Sequence, residues 1–173
     1  QNHYSMPPFG ADGRLHIAYR ACNRACIKVA SSGPGGWTIR EVARLTGASR
    51  ETPFEVGEPV MTLSVDAAGP TPGRIYLAYA DAPDGVPASY YSAGDPSKDL
   101  DIVARWSDDG ALSWSEAIVV SLPDPDDQFH PWMESKDGVL HMIYLDRVDA
   151  TSRVQATYGR YDVALGVATE LAL

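Results

Sequence analysis

The strongest constraint on the fold of this chain is a short segment that occurs three times. Residues 12–19 read Asp-Gly-Arg-Leu-His-Ile-Ala-Tyr, and they align without a gap with residues 137–144, Asp-Gly-Val-Leu-His-Met-Ile-Tyr. A third copy spans residues 73–79. In each copy the large apolar residues alternate and end on a tyrosine, which is the pattern of a strand with one apolar face. The repeat therefore predicts three similar β units in one chain.

The spacing of the copies sets the size of each unit. Their terminal tyrosines, Tyr19, Tyr79 and Tyr144, lie 60 and 65 residues apart, which is too long for a hairpin and suits four strands with loops. We expect antiparallel four-stranded units at residues 1–57, 58–126 and 127–173. Besides the copies, the predicted strands are residues 4–9, 26–30 and 37–45, then 58–65, 101–106 and 114–121, and finally 129–135, 154–160 and 167–173.

Composition excludes several functional classes. The chain carries 23 acidic residues against 14 Lys and Arg, and its net charge of -9 opposes broad binding to the phosphates of a nucleic acid. No apolar run approaches the roughly 18 residues of a membrane span. Cys22 and Cys26 have no zinc-site spacing, and they form either a small-loop disulfide or two free thiols. We therefore expect neither a nucleic acid nor a membrane span.

The turn at residues 107–114, Ser-Asp-Asp-Gly-Ala-Leu-Ser-Trp, resembles the Asp box, also called the bacterial neuraminidase repeat. That pattern is Ser or Thr, any residue, Asp, any residue, Gly, any residue, Thr and an aromatic residue. Ala111 stands where the pattern has Gly, and we expect Gly110 to carry the positive φ instead. The matching residues, to which we assign a structural role in shaping the turn, are Ser107, Asp109, Ser113 and Trp114.

The resemblance extends beyond this one turn. Residues 30–37 match the Asp-box pattern incompletely, since they keep Trp37 and have Ser32 in place of the Asp. Residues 160–167 retain neither the Trp nor a convincing Ser-x-Asp. Taken with the repeat, the chain resembles a sialidase-like β-propeller. This implies an all-β fold with three four-stranded antiparallel blades, half of a six-bladed ring. The outer blades would each expose an apolar face, which we expect a homodimer or the remainder of a longer chain to cover.

The resemblance also implies where a ligand would bind. In sialidase-like propellers, the loops before the innermost strand and after the second strand share one rim, and that rim carries the pocket. Carboxylates and arginines there suit sugar hydroxyls, although solvated loop acids and an Asp146–Arg147 ion pair at a strand end are the alternative. The candidate ligand-binding residues are Tyr4, Arg20, Arg24, Glu58, Asp81, Asp127, His130, Asp146 and Arg147.

The expected activity follows from what the sequence matches. Sialidases use an arginine triad, a tyrosine–glutamate pair and an aspartate, and no stretch here marks them, so the catalytic residues are unknown. We expect a glycan-recognising propeller. The alternatives are an exo-glycosidase of sialidase type whose site is completed on assembly, and a protein-interaction module. We expect no cofactor or metal, with calcium at residues 124–127 as the alternative. Family habit implies a secreted or periplasmic protein.

Overall fold

The computed structural model of the chain describes residues 7–23, 25–45, 61–82, 100–123, 127–147 and 153–173. Within these ranges it contains eleven β-strands and no helix. The strands form three antiparallel sheets, each built from strands that follow one another in the sequence. The predicted all-β class is confirmed. None of the described residues belongs to a helix of the length and apolarity that crossing a bilayer requires.

Sheet 1 is formed by β1 (His16–Ala21), β2 (Cys26–Gly33) and β3 (Gly36–Arg44), in that order. Before β1, Phe9 forms an isolated bridge with Leu15. This bridge lies at the end of the strand predicted at residues 4–9, whose first three residues are outside the described part of the chain. The described part of the first unit therefore holds three strands.

Sheet 2 is formed by β4 (Thr62–Asp66), β5 (Arg74–Asp81), β6 (Asp101–Ser107) and β7 (Ile118–Val119). The last strand is shorter than the predicted residues 114–121. The reason is a pair of serine hydroxyls that replace main-chain carbonyls as acceptors. Trp106 N–H donates to Ser115 Oγ at 3.0 Å, and Ile102 N–H donates to Ser121 Oγ at 3.1 Å.

Sheet 3 is formed by β8 (Gln128–Lys136), β9 (Val139–Arg147), β10 (Val154–Asp162) and β11 (Val167–Ala172). Its order is β8-β9-β10-β11. The three copies of the sequence repeat become β1, β5 and β9. The copies in sheets 2 and 3 lie second in their sheets, as expected for a blade. The exact unit boundaries stay a prediction, since residues 46–60 and 124–126 are outside the described ranges.

The sheets stack face to face, with sheet 2 in the middle. We call the A face of each sheet the one that carries the large apolar residues of its repeat copy, and the B face the opposite one. The A face of sheet 2, with Ile75 and Leu77, packs against Ala18 and Ile27 on the B face of sheet 1. The B face of sheet 2, with Tyr76 and Ala78, packs against the A face of sheet 3. The A-face residues of the three copies are Leu15, Ile17 and Tyr19, then Ile75, Leu77 and Tyr79, and finally Leu140, Met142 and Tyr144.

Within the described ranges, nothing packs on one face of each outer sheet. In sheet 1 the residues buried along β1 belong to the B face, whereas Ile17 and Tyr19 on the A face are only half-buried. The expectation that the large apolar residues point inward therefore holds in sheets 2 and 3 and fails in sheet 1, because no described residue covers this A face. Trp37 is 53% exposed there, and Trp132 is 52% exposed on the B face of sheet 3.

A buried carboxylate ties sheet 3 to sheet 2. Asp66, at the end of β4, is 2% exposed and accepts hydrogen bonds from the amides of its own turn, Ala68 at 3.2 Å and Gly69 at 2.8 Å. It also accepts from the turn that precedes β9, from Asp137 N–H at 3.3 Å and Gly138 N–H at 2.6 Å. One side chain therefore fixes the relative position of two sheets.

We expect Asp66→Ala to lower the free energy of unfolding by about 3 kcal/mol, because four amides lose a charged acceptor and two of them are buried. Urea denaturation of the purified chain measures this. The control is Glu116→Ala, which removes an exposed carboxylate ahead of β7 and should change the free energy by less than about 0.5 kcal/mol. Equal losses in the two variants would contradict the role assigned to Asp66.

Candidate functional site

The strands formed by the three repeat copies, β1, β5 and β9, end at one edge of the stack, which we call the rim. Their beginnings lie together at the opposite edge. A Cβ built on Gly73, just before β5, would lie 3.3 Å from Ala11, just before β1. A Cβ built on Gly138, just before β9, would lie 3.1 Å from Pro70, in the turn before β5. The C-terminal ends of β1, β5 and β9 therefore share the rim with the first residues of β6, β8 and β10.

Two oppositely charged side chains line the rim end of the interface between sheets 1 and 2. Arg20 is on the B face of sheet 1 and Asp81 is on the A face of sheet 2, each 8% exposed. Ala82 N–H donates to Asp81 Oδ1 at 3.0 Å. Asp101, the first residue of β6, lies directly opposite Asp81 in the strand register. Two carboxylates and one guanidinium group therefore lie at the rim end of this interface.

Asp146 lies at the equivalent position of sheet 3. It is 6% exposed, and the strand register places Gln128 of β8 on one side of it and Gln155 of β10 on the other. Gln155 Nε2 and Thr157 Oγ1 each donate to Asp146 Oδ2 at 3.5 Å. Gln128 is fully buried, and its Oε1 has no hydrogen-bond partner among the described residues. The result is a row of polar groups across three strands, of which Gln128 and Asp146 are buried and Gln155 is half-buried.

Asp127 forms an ion pair within sheet 3 and connects the rim of that sheet to sheet 2. Arg147 Nη2 lies 3.1 Å from Asp127 Oδ2, and Arg147 N–H donates to the Asp127 carbonyl at 3.0 Å. Asp127 Oδ1 in turn accepts from Leu100 N–H, next to β6, at 3.3 Å. Arg147 thus has an ion-pair partner in Asp127, which directly precedes β8. This pair gives the rim a fixed arrangement of charge.

A β-bulge in β8 brings a histidine to the same end of sheet 3. The register shifts between Phe129 and Trp132, and His130 within the bulge has a φ of 54°. Its ring meets the Phe129 ring edge-on, with the centroids 5.3 Å apart. Bulges re-aim side chains and occur often beside functional sites, and a positive φ outside glycine is uncommon.

The structure describes six of the nine predicted ligand-binding residues, and all six lie at or near the rim. Tyr4, Arg24 and Glu58 are outside the described ranges. Sequence reasoning missed Asp101 and Gln155, which lie opposite Asp81 and Asp146. Both lie at the start of the third strand of their unit, so continuing the repeat alignment through the loops would have been the signal to find them. Whether these residues bind a ligand stays a prediction.

A tyrosine–glutamate pair does occur, and it lies beside the rim, because Tyr144 shares a face of β9 with Asp146 two residues later. Tyr144 donates a hydrogen bond to the Glu170 carboxylate, which also accepts from Leu122 N–H. Tyr144 is fully buried on the A face of sheet 3, and Glu170 lies on β11, the outermost strand. The pair connects sheet 3 to the segment after β7, and we assign it a structural role.

The loop after β1 is closed by a disulfide. Cys22 and Cys26 are joined, with their Cα atoms 5.5 Å apart, so the disulfide alternative is the correct one. Cys22 and Asn23 both have positive φ, at 56° and 53°. The two sulfurs also lie near the Glu41 carboxylate. Because disulfide sulfurs lack the thiolate that binds metals, this cluster is not a metal site in the oxidised chain.

The turn that resembles an Asp box lies at the edge opposite the rim. Asp109 Oδ1 accepts from Ser107 Oγ at 2.9 Å and from the amides of Leu112 and Ser113 at 3.0 and 2.9 Å. Asp109 Oδ2 accepts from Ser113 Oγ at 2.5 Å. Both Gly110 and Ala111 have positive φ, so the alanine adopts the conformation that the pattern gives to glycine. These contacts organise the turn and link it to no residue of the rim.

The related turns differ as the sequence indicates. In the third unit Asp162 Oδ1 accepts from the amides of Ala164 and Leu165, at 3.2 and 3.1 Å, which is a reduced form of the Asp109 arrangement. In the first unit Ser32 Oγ accepts from Leu15 N–H at 2.9 Å and so bonds β1 instead of its own turn. The carboxylate is therefore what closes the turn on itself.

No family model matches the sequence, and no curated protein does. The solved structures that match over nearly the whole chain include a β-fructofuranosidase and a polysaccharide lyase. The β-fructofuranosidase BmSUC1 of Bombyx mori, of family GH32, has a TM-score of 0.56 and 13% identity, covering 100% of this chain and 37% of that one. The polysaccharide lyase Uly1 has a TM-score of 0.52 and 15% identity, covering 98% and 40%.

The fold is a partial β-propeller. Three antiparallel sheets stacked face to face are the blades of such a fold, and the two matching structures share this arrangement. At these identities the likeness shows the fold alone. This chain spans less than half the length of either structure, so the activity of the larger proteins does not carry over with the fold.

The Asp109 turn predicts a pH effect. Hydrogen bonds from Ser113 and Ser107 and from the turn amides lower the pKa of Asp109 from 3.8 to about 2. A lowered folded-state pKa stabilises the fold above the unfolded value, and this stabilisation is lost as the pH falls from about 4 toward 2. Solvent screens this exposed carboxylate, so the effect is small.

An NMR titration that follows the side-chain carboxyl carbon of Asp109 measures this pKa. In Ser113→Ala the pKa should move back toward 3.8, because the largest stabilising contact is gone. Ser115→Ala is the matched control, since Ser115 Oγ accepts from Trp106 N–H and does not contact Asp109. An Asp109 pKa that stays near 2 in Ser113→Ala would refute the serine hydroxyl as the cause.

Proposed function

We propose that this chain is a glycan-recognising, sialidase-like propeller protein whose ligand binds at the rim. The observation that carries the proposal is the burial of Arg20, Asp81 and Asp146 at one edge of the stacked sheets. Charges are buried only where other groups compensate them, and these have amides and opposite charges beside them. Carboxylates and guanidinium groups held in place can form paired hydrogen bonds with neighbouring sugar hydroxyls.

The two matching structures support a carbohydrate ligand. By name one is a β-fructofuranosidase and the other a polysaccharide lyase, so this blade arrangement serves carbohydrate chemistry in both. A shared fold does not determine function, so the proposal also rests on the polar residues of the rim. Gln128 and Gln155, beside Asp146, add amide groups that can both donate and accept.

A glycan array followed by calorimetry on the best ligand tests the proposal. We expect Asp146→Asn, which keeps the shape and removes the charge, to weaken binding by about tenfold or more. The control is Asp162→Asn, in the turn between β10 and β11 at the opposite edge, which should leave the affinity unchanged. An array without ligands, or equal losses in the two variants, would refute glycan binding at the rim.

An exo-glycosidase of sialidase type, with its site completed on assembly, is the second candidate. The observation that favours it is the register pair of Asp81 and Asp101, since glycosyl transfer uses two carboxyl groups about 5 to 9 Å apart. A panel of fluorogenic glycosides that includes a sialoside tests it. Turnover that falls about a hundredfold in Asp101→Asn would support hydrolysis, and no turnover by the assembled protein would remove this candidate.

The remaining parts of the proposal concern compartment and ligands other than glycans. The Cys22–Cys26 disulfide supports export to an oxidising compartment, hence a secreted or periplasmic protein. The proposed binding needs no cofactor or metal. Calcium at residues 124–127 is kept as an alternative, of which only Asp127 is described. A protein-interaction module, including a homodimer, is the third candidate, favoured by the uncovered faces of the outer sheets.

A further inference from the structure

A carboxylate from β3 meets the two cysteines of the loop after β1. Cys22 Sγ lies 3.6 Å from Glu41 Oε2. The sulfurs of Cys22 and Cys26 and a carboxylate oxygen of Glu41 all lie within 4.8 Å of one another, and the described residues contain no other group of this kind. The spacing of the two cysteines does not mark the set, because its third member comes from another strand.

A β-bulge between β2 and β3 directs Glu41 toward the cysteines. The register shifts between Ile27 and Lys28, so that Glu41 lies opposite Lys28. In a ladder without this shift Glu41 would lie opposite Val29, whose side chain is buried between sheets 1 and 2. Because side chains alternate along a strand, Lys28 shares its face with Cys26, and the bulge places Glu41 on that face.

Contacts other than the disulfide also hold this arrangement. Ala25 N–H donates to the Cys22 carbonyl at 3.1 Å, and Leu45 N–H donates to the Ala25 carbonyl at 3.0 Å. Arg44 Nε lies 3.0 Å from Glu41 Oε1, which leaves Oε2 beside Cys22. Such an outer contact orients a carboxylate ligand. The loop and the carboxylate therefore have positions that do not depend on the S–S bond alone.

The distance between the sulfur and the carboxylate oxygen suits zinc. Zinc binds thiolate sulfur at about 2.3 Å and carboxylate oxygen at about 2.0 to 2.2 Å, with tetrahedral geometry. A sulfur and an oxygen on one such ion are therefore about 3.6 Å apart. Cys22 Sγ and Glu41 Oε2 already have this separation. Two sulfurs on the same ion are about 3.8 Å apart, so the sulfurs have to separate after the S–S bond is broken.

The burial of the three residues fits a site that an ion can enter. Cys26 is fully buried, whereas Cys22 and Glu41 are exposed. The exposed side gives an entry path and leaves room for a water molecule as a fourth ligand. Thiolate ligands favour zinc over calcium and magnesium, which prefer oxygen ligands.

We propose that the reduced chain binds one zinc ion through Cys22 Sγ, Cys26 Sγ and Glu41 Oε2, and that the disulfide excludes the ion. A small dithiol reduces the disulfide: its two thiols are oxidised to a disulfide, and Cys22 and Cys26 each become a thiol. Zinc binding then releases both thiol protons to solvent, because the thiolate is the ligand. The binding needs no sugar, so the inference is independent of the glycan proposal.

A zinc titration of the reduced chain tests the site. The chain is reduced with dithiothreitol, freed of the reductant under nitrogen, and titrated with zinc in competition with a chromogenic chelator. We expect one zinc ion per reduced chain and none on the oxidised chain. Cobalt(II) in place of zinc should give the charge-transfer absorption of thiolate ligands in the reduced chain alone. Circular dichroism of the same samples measures whether the reduced chain keeps its strands.

Variants of Glu41 test the third ligand. Glu41→Gln should weaken zinc binding about tenfold or more, because a neutral amide replaces the carboxylate. Glu41→His supplies a nitrogen ligand and should retain most of the affinity. The matched control is Glu134→Gln, which removes an exposed carboxylate from β8 and should leave zinc binding unchanged.

Four results would each overturn the proposal. They are a reduced chain that keeps its strands and binds no zinc, a reduced chain that loses its strands even with zinc present, zinc binding by the oxidised chain, and equal affinities in Glu41→Gln and Glu134→Gln. All of these measurements are made without a glycan, so their failure leaves the test of the proposed function unaffected.

Discussion

The structure depends on the burial of sheet 2 from both sides. Every residue of β5 from Ile75 to Asp81 is buried, and the side chains face sheet 1 and sheet 3 alternately. A hairpin or a single sheet cannot cover both apolar faces of such a strand, so the neighbouring sheets are required for its stability. Short polar contacts such as Asp66 with Gly138 then fix how the sheets are placed.

Much of this arrangement could be predicted from the repeat. The alignment of residues 12–19, 73–79 and 137–144 indicated three equivalent strands, and each became part of a separate antiparallel sheet. Burial in sheet 1 could not be predicted from alternation alone, because Ile17 has the sequence of a core residue and lacks a covering neighbour among the described residues. The length of β7 also escaped prediction, since it depends on where Ser115 and Ser121 direct their hydroxyls.

Only some of the rim residues could be predicted from the sequence. Charged residues at the ends of the repeat copies, such as Asp81 and Asp146, could be found because the repeat places them at the same position. Their partners Asp101 and Gln155 were missed, although both lie in predicted strands, because loops of unequal length separate them from the repeat copies and the strand register was not known. Which polar residues are buried at the rim depends on how whole sheets stack.

Because β7 has only two residues, it limits the addition of strands from another chain to the edge of sheet 2. An outer strand normally offers a ladder of free amides and carbonyls to any other chain, which is a route to aggregation. Here that border of sheet 2 is reduced to Ile118 and Val119, and serine hydroxyls already take the flanking donors of β6. Sheet 2 therefore offers few free main-chain groups for fibril-like extension. It associates with sheets 1 and 3 through its two apolar faces.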